Sequence, residues 1–375
     1  MVATSTSTGE GWSSRSAFIL AAIGAAVGLG NLWRFPTLAG ESGGGAFVIF
    51  YIGCVFLLGL PLLLAEIFIG RAGQTDAIGS IRRVAQQSNV SRGWVSFGAI
   101  GALAAFLIVS FYSVVAGWVL YYAGVFAGDF ASAVAAGDPF RGALEGQTQD
   151  EIANRLTDLF ASPSLLIAMH FAFMGATLFI VARGVSGGIE KAATWLMPAF
   201  FVLLIGITIY GAIVGDVSEA AAFLFTPDWS RLTPDVMNSA LGQALFSLSL
   251  GVAGIITYGS YIREGTPLGS TAVTIAVADT AVALIAGLMI FPIVFAVGLD
   301  PAAGPTLVFQ TLPFAFESMP GGSLIGLLFF ILVLVAAVTS SISLLEVPTA
   351  YGIGELGWSR TMSALVFGGG AFLIG

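Results

Sequence analysis

Four ionisable side chains, Arg34, Glu66, Asp279 and Glu346, stand inside otherwise apolar runs of the chain. Charge at membrane depth is costly, so each of the four invites a functional hypothesis. For Glu66 and Glu346 a structural role has equal standing, since either carboxylate can pair with backbone amides freed where a helix breaks. Enzymatic chemistry has little to work with. There is no His/Cys/Glu cluster, no HExxH, no GxSxG and no phosphate-binding loop, and Glu66 and Asp279 have no partner motif that would make them an acid–base pair. The single histidine, His170, sits alone in an apolar run and is expected to be a packed, hydrogen-bonded side chain. The single cysteine, Cys54, can form no intrachain disulfide and supports no Cys-based metal site.

The elements that must position these groups follow from composition. Of 375 residues, 57% are hydrophobic and 9% charged, against about a quarter charged in an average soluble chain. Apolar runs long enough to cross roughly 30 Å of hydrocarbon are expected near 17–39, 45–70, 95–127, 163–182, 192–214, 237–262, 270–298 and 323–353, with a ninth opening near Thr361. This polytopic membrane chain excludes secreted, disordered and nucleic-acid-binding readings; 13 basic against 21 acidic residues leave no polycationic face. The first apolar stretch is too long and too glycine-patterned for a signal peptide, so it is expected to be retained. Arg15, Arg71, Arg82, Arg83, Arg92, Arg183, Lys191, Arg263 and Arg360 fall on the side of the N-terminus, and only Arg141, Arg155 and Arg231 fall opposite. This bias predicts a cytoplasmic N-terminus. The opposite loops collect acids, from Asp129 and Asp138 to Asp228 and Asp235.

Two segments should not be smooth helices. The first carries Gly24, Gly28 and Gly30 before Asn31; the sixth carries Ser247, Ser249, Gly251 and Gly254. Carbonyls and amides released at such breaks are tolerated in lipid only where they line a cavity or are buried in protein. The two segments are five apart, so they occupy corresponding places in an inverted five-plus-five repeat, which points to a transporter binding site at the repeat interface. Close helix packing on small residues is the alternative, and is preferred for Gly43, Gly44 and Gly45.

The motifs then become specific. The run from Gly24 through Asn31, Trp33 and Arg34 to Pro36, then Gly43–Phe47 and Pro61–Glu66, resembles the neurotransmitter:sodium symporter family. So do Gln243–Gly251 with Ile256–Tyr261, and Ala336–Ile342. The resemblance, running from Trp12 to the C-terminal end, implies an all-α inverted repeat: a tail at 1–15, a first repeat of five helices at 16–215, and a second repeat at 216–375 that is incomplete in this chain. It implies two sodium ions. The first would take the Ala26 carbonyl, Asn31, Ser247 and Asp279, with the substrate carboxylate completing the shell. The second would take carbonyls of Gly24, Val27 and Ala336 with the hydroxyls of Thr339 and Ser340. Sodium prefers oxygen donors of these kinds.

The same resemblance places a substrate carboxylate at the amides of Leu29 and Gly30 and the hydroxyl of Tyr112, against the ends of half-helices. Ala25, Ala26, Ile108, Phe246, Ser247, Ser249, Val252, Ser340 and Leu344 complete the pocket, and Arg34, Tyr112 and Phe246 form a gate. Gly28 stands where amine carriers of the family have an aspartate, so the substrate should bring its own carboxylate; the apolar lining suggests a neutral, hydrophobic amino acid. The chain departs from the family pattern in three ways. It stops before the tenth helix that supplies the acidic partner of Arg34. The inner-gate ion pair falls on Gly9 and Gly354, so another pair would have to replace it. Chloride-dependent relatives hold the anion beside residues matching Tyr51, Gln243 and Ser247. Here Ala283 replaces the compensating glutamate of some chloride-independent relatives, while Asp279 replaces a neutral asparagine, so Asp279 is expected to supply the charge and chloride not to be required; the alternative is a protonated Asp279 that replaces asparagine as a neutral ligand. The expected function is sodium-coupled symport in the plasma membrane, with the lipid bilayer and a small amino acid as its partners. A non-transporting sensor, a partner subunit or an inactive fragment on the same scaffold are the alternatives.

Overall fold

The computed structural model describes residues 11–375, so most of the N-terminal tail, Gly9 included, lies outside the described residues. Within them the chain is helical, with no strand. The first crossing is bent by 47°: α1 (Arg15–Ala26) and α2 (Phe35–Glu41) meet through a π-helical turn at Gly30–Arg34. Ser14 caps α1 by accepting from the Ala17 amide, and Pro36 lies in the first turn of α2, where its missing N–H costs nothing. Then come α3 (Gly45–Gly73), the amphipathic α4 (Ala77–Gln87) and the long α5 (Arg92–Ala135). The chain continues through α6 (Gln149–Phe160), α7 (Pro163–Val181), α8 (Val185–Val214) and α9 (Val217–Phe225). The sixth crossing is broken into α10 (Pro234–Ser247) and α11 (Gly254–Ser260). It is followed by α12 (Leu268–Ala296), the short α13 (Leu312–Glu317), α14 (Gly322–Gly354) and α15 (Arg360–Ile374).

Six of these helices are long and apolar enough to cross a bilayer, and the bent first pair makes a seventh. The apolar runs therefore correspond to helices, with ends displaced by capping and by lengths that hydropathy does not mark: α5 continues to Ala135, well past the expected 127. Helices α6 and α9 and the turns around 304–317 occupy stretches expected only as loops. The signal for α6 is in the sequence, because Thr148 and Glu151 form a reciprocal capping box.

Packing divides the molecule into two groups that meet at the broken helices. α10 lies against the first part of α3, and α11 against its second part, while α5 packs along α14 and α7. α1 sits between them, touching α8, α12 and α14. Close approach here depends on glycine: a Cβ at Gly70 would overlap the Ile256 carbonyl of α11. The two breaks thus face each other at the centre of the fold.

Candidate functional site

The first break begins at Val27, whose extended backbone (φ −78°, ψ 105°) ends α1. Asn31 bridges it: its Oδ1 accepts from the Gly28 amide at 3.2 Å, and its Nδ2 donates to Ser247 Oγ at 3.0 Å and Asp279 Oδ1 at 2.8 Å. Ser247 Oγ also donates to Asp279 Oδ2 at 2.7 Å. Three helices therefore bring an amide, a hydroxyl and a carboxylate to one buried point. No cluster of three or more His, Cys, Asp or Glu side chains exists among the described residues; the donor set is a hard-oxygen one suited to an alkali cation.

On the other flank of the break, Ser340 Oγ lies 3.4 Å from each of the Gly24, Ala25 and Val27 carbonyls. Thr339 differs. Its hydroxyl donates to the Val335 and Ala336 carbonyls of its own helix, at 3.2 and 3.0 Å, while its Cβ faces Gly24. The Ala336 carbonyl is thus in the group, reached through Thr339.

The second break, 248–253, is conformationally costly. Ser249 (φ 54°), Gly251 (φ 81°) and Ala253 (φ 59°) all have left-handed backbone, a region that costs non-glycine residues about 1–3 kcal/mol. Side chains from other helices meet the freed groups: Glu66 Oε1 accepts from the Gly251 amide at 2.8 Å, and Ser249 Oγ donates to the Ala25 carbonyl at 3.0 Å. Of the two structural roles open to Glu66 and Glu346, only Glu66 takes up a freed amide.

Between the breaks lies a cavity of about 70 Å³. Every residue expected at the substrate pocket lines it except Ser247, which is turned toward Asn31 and Asp279; Gly28 and Leu250 are additional lining residues. Leu250 lies inside the Gln243–Gly251 run, but as an apolar side chain it had nothing to mark it as a lining residue. Tyr112 Oη accepts from the Leu29 amide at 3.4 Å. A Cβ at Gly28 would overlap Ser340 Oγ and lie 3.1 Å from Tyr112 Oη, so glycine keeps this floor open. Leu29, Tyr112 and Phe246 are shared with a second cavity of about 360 Å³, on the side of Arg34.

Arg34 has a partner, and it is neutral. Its Nη1 donates to Gln243 Oε1 at 2.6 Å, and the guanidinium carbon lies 5.2 Å from the Phe246 ring centre. Gln243 in turn donates to the Gly30 carbonyl at 2.8 Å. Gln243 therefore ties the gate to the first break, whereas Tyr51 Oη, which matches another residue of the relatives' anion site, is buried with no hydrogen-bond partner among the described residues.

The opposite end is sealed. Trp12 is buried, donates Nε1–H to the Tyr258 carbonyl at 2.9 Å and packs on Tyr258 and Tyr261. Ser13 donates to Glu190 in the second turn of α8, and Arg15 Nη2 to Ser270 Oγ of α12 at 2.8 Å. Gly354 carries no acid, and the carboxylate of Asp76 fills the room a side chain there would need. That carboxylate caps α4, and burial raises its pKa above the usual range. About two turns deeper, Glu346 is fully buried and bidentate with Arg360 (2.8 and 3.0 Å), and Tyr261 Oη donates to it at 2.6 Å. His170, away from both breaks, shares a 2.8 Å hydrogen bond with Ser113.

The profile of the sodium:neurotransmitter symporter family matches residues 9–131 and 152–362. An uncharacterised sodium-dependent transporter of Bacillus subtilis is 38% identical over 90% of this chain and 71% of its own length. One from Haemophilus influenzae is 36% identical over 97% of this chain and 78% of its own. The crystal structure of MhsT in complex with L-phenylalanine superposes with a TM-score of 0.86 at 45% identity, covering 97% of this chain and 79% of that one. Relatives named as transporters, several helices fit to cross a membrane, and two facing helix breaks agree: the chain belongs to the sodium:neurotransmitter symporter family.

Proposed function

We propose that the protein is a sodium-coupled symporter that takes up a neutral, hydrophobic amino acid across the plasma membrane by alternating access, with its N-terminus cytoplasmic. The observation that carries this reading is the convergence of Asn31, Ser247 and Asp279 beside a cavity whose floor is glycine at 28. A sodium ion there would share its shell with the carboxylate of a substrate held at the Leu29 and Gly30 amides and Tyr112. The second ion would take the Gly24 and Val27 carbonyls, Ala336, Thr339 and Ser340. Apart from Ser249, Ser340 and Tyr112, side chains around the cavity are apolar, which favours a side chain of the same kind. That MhsT was crystallised with L-phenylalanine supports an amino acid as cargo.

The two ions are cargo as well as ligands, and each charge moved inward across 100 mV releases about 2.3 kcal/mol. In this reading the group of α1–α3 and α10–α12 rocks against α5, α7, α8, α14 and α15, the five-plus-five repeats (16–215 and 216–375) providing the symmetry of the two end states. Arg34, Tyr112 and Phe246 close one side, and Trp12 with the Glu346–Arg360 pair the other. Asp279 supplies the fixed negative charge, so chloride is not required. The deciding experiment titrates the twenty amino acids against the purified chain in sodium and in potassium, and measures accumulation in proteoliposomes. Sodium should raise affinity and drive accumulation of an apolar amino acid, because ion and carboxylate stabilise each other reciprocally. Equal affinity in both media would overturn the coupling, and binding without accumulation would identify a sensor.

A further inference from the structure

A third cavity, of about 700 Å³, lies behind the second break, between α3, α4 and the start of α5. Its size falls in the roughly 300–1,000 Å³ range of small-molecule sites. Its wall is apolar, with Trp94 and Phe97 as aromatic members, except for Ser88 and for Glu66, whose Oε2 is buried with no hydrogen-bond partner among the described residues. The residues at its mouth, Leu62 (49% exposed), Trp94 (55%) and Phe97 (66%), stand on the outside of two helices that cross the bilayer, so the cavity opens to hydrocarbon. Leu250 lines this cavity and the central one alike, so one strand of non-helical backbone separates them. At Gly251 that backbone faces open space: a Cβ there would meet nothing within 4 Å, and its amide is already satisfied by Glu66.

A charge stands next to the lining residues in sequence. Arg92, the first residue of α5, is exposed and forms no ion pair among the described residues, and it lies between Val90 and Trp94, which both line the cavity. Its neighbours on α4 are engaged: Arg82 pairs with Glu355, and Arg83 donates to the Gly73 carbonyl. An unpaired arginine at the end of a membrane span, flanked by two residues that line a largely apolar cavity, matches one class of occupant. An acyl chain fills the cavity by the hydrophobic effect, at about 0.8 kcal/mol per buried methylene, and an anionic headgroup meets the arginine.

We propose that this cavity holds one acyl chain of an anionic phospholipid, with its phosphate at Arg92, and that the bound lipid braces the 248–253 stretch against the central cavity. Zwitterionic lipids carry the same phosphate but offset its charge with a cation of their own, and a water-soluble ligand would have to cross hydrocarbon to reach the mouth.

The test is native mass spectrometry of the full chain in mild detergent, with phosphatidylglycerol and phosphatidylcholine of identical acyl chains. The parent should retain one phosphatidylglycerol in preference to phosphatidylcholine. Ala65→Trp, which fills the cavity from its exposed α3 side, should lose that adduct, and Arg92→Gln should lose the preference while still accepting either lipid. In nanodiscs, substrate affinity of the parent should rise with phosphatidylglycerol content, and that of Ala65→Trp should not. Equal retention of both lipids by the parent, or a phosphatidylglycerol preference unchanged by Arg92→Gln, would overturn the proposal. If Ala65→Trp fails to fold, the Arg92→Gln result still decides it. The adduct readout does not depend on transport, so failure here and failure of the symport reading are separately visible.

Discussion

Replacing Arg360 with methionine would strip the bidentate partner from Glu346, a carboxylate with no exposed surface. Among the described residues, what remains is the 2.6 Å hydrogen bond from Tyr261. Breaking a buried pair by removing one partner costs about 3–5 kcal/mol, because the surviving charge is left uncompensated. The opposite deletion, Glu346→Gln, should cost less: Arg360 keeps 12% side-chain exposure, and the glutamine can still accept from Tyr261. The double variant Glu346→Gln/Arg360→Met should recover most of the loss, because neither charge is then stranded. Tyr261 also packs on Trp12, so the pair helps to seal that end. If it is made only in the sealed arrangement, even 3 kcal/mol would move the balance toward opening by roughly a hundredfold or more. Thermal unfolding of the four proteins in detergent gives the double-mutant cycle, and hydrogen exchange of the segment from Trp12 to Ala26 reports the seal. Single-variant losses that add within about 0.5 kcal/mol would show that the pair is not coupled, and unchanged exchange in Arg360→Met would refute its part in the seal.

Three further outcomes are expected. Thr339→Ala with Ser340→Ala removes two hydroxyls and little bulk, so the sodium titration should shift at least about tenfold, or 1.4 kcal/mol, while the fold survives; an unmoved midpoint would make both hydroxyls helix-packing groups. At Gly28, alanine already meets Ser340 and should weaken amino-acid binding by an overpacking cost of about 1–3 kcal/mol, whereas aspartate should abolish it through added repulsion of the substrate carboxylate. Equal affinities of Gly28→Ala and Gly28→Asp would misplace that carboxylate. Uptake by the parent should be the same in chloride and gluconate, while Asp279→Asn should lose activity in gluconate and regain part of it in chloride; chloride dependence of the parent would leave Asp279 an ordinary ligand.

The residues by themselves determined the membrane class, the apolar crossings and the two places where a helix must break. Those properties are local: transfer of an apolar run into hydrocarbon, and the poor helix formation of clustered glycine and serine, are set by neighbours in sequence. Motif order also carried the family and, through it, nearly the whole lining of the central cavity. The tertiary structure decided what the chain could not announce. Ser249 and Ala253 adopt a left-handed backbone that their own side chains disfavour, in a stretch that Glu66 and the Ala25 carbonyl hold from distant helices. Arg34 finds Gln243, Glu346 finds Arg360 and Tyr261, and Asp76 takes the space beside Gly354, although each could have been assigned other partners from sequence alone. Leu250, an unremarked leucine in an apolar run, becomes the wall between two cavities. The physical reason is the same in each case: a buried polar group or a cavity wall is defined by what packs against it, and that is settled only when helices remote in sequence meet.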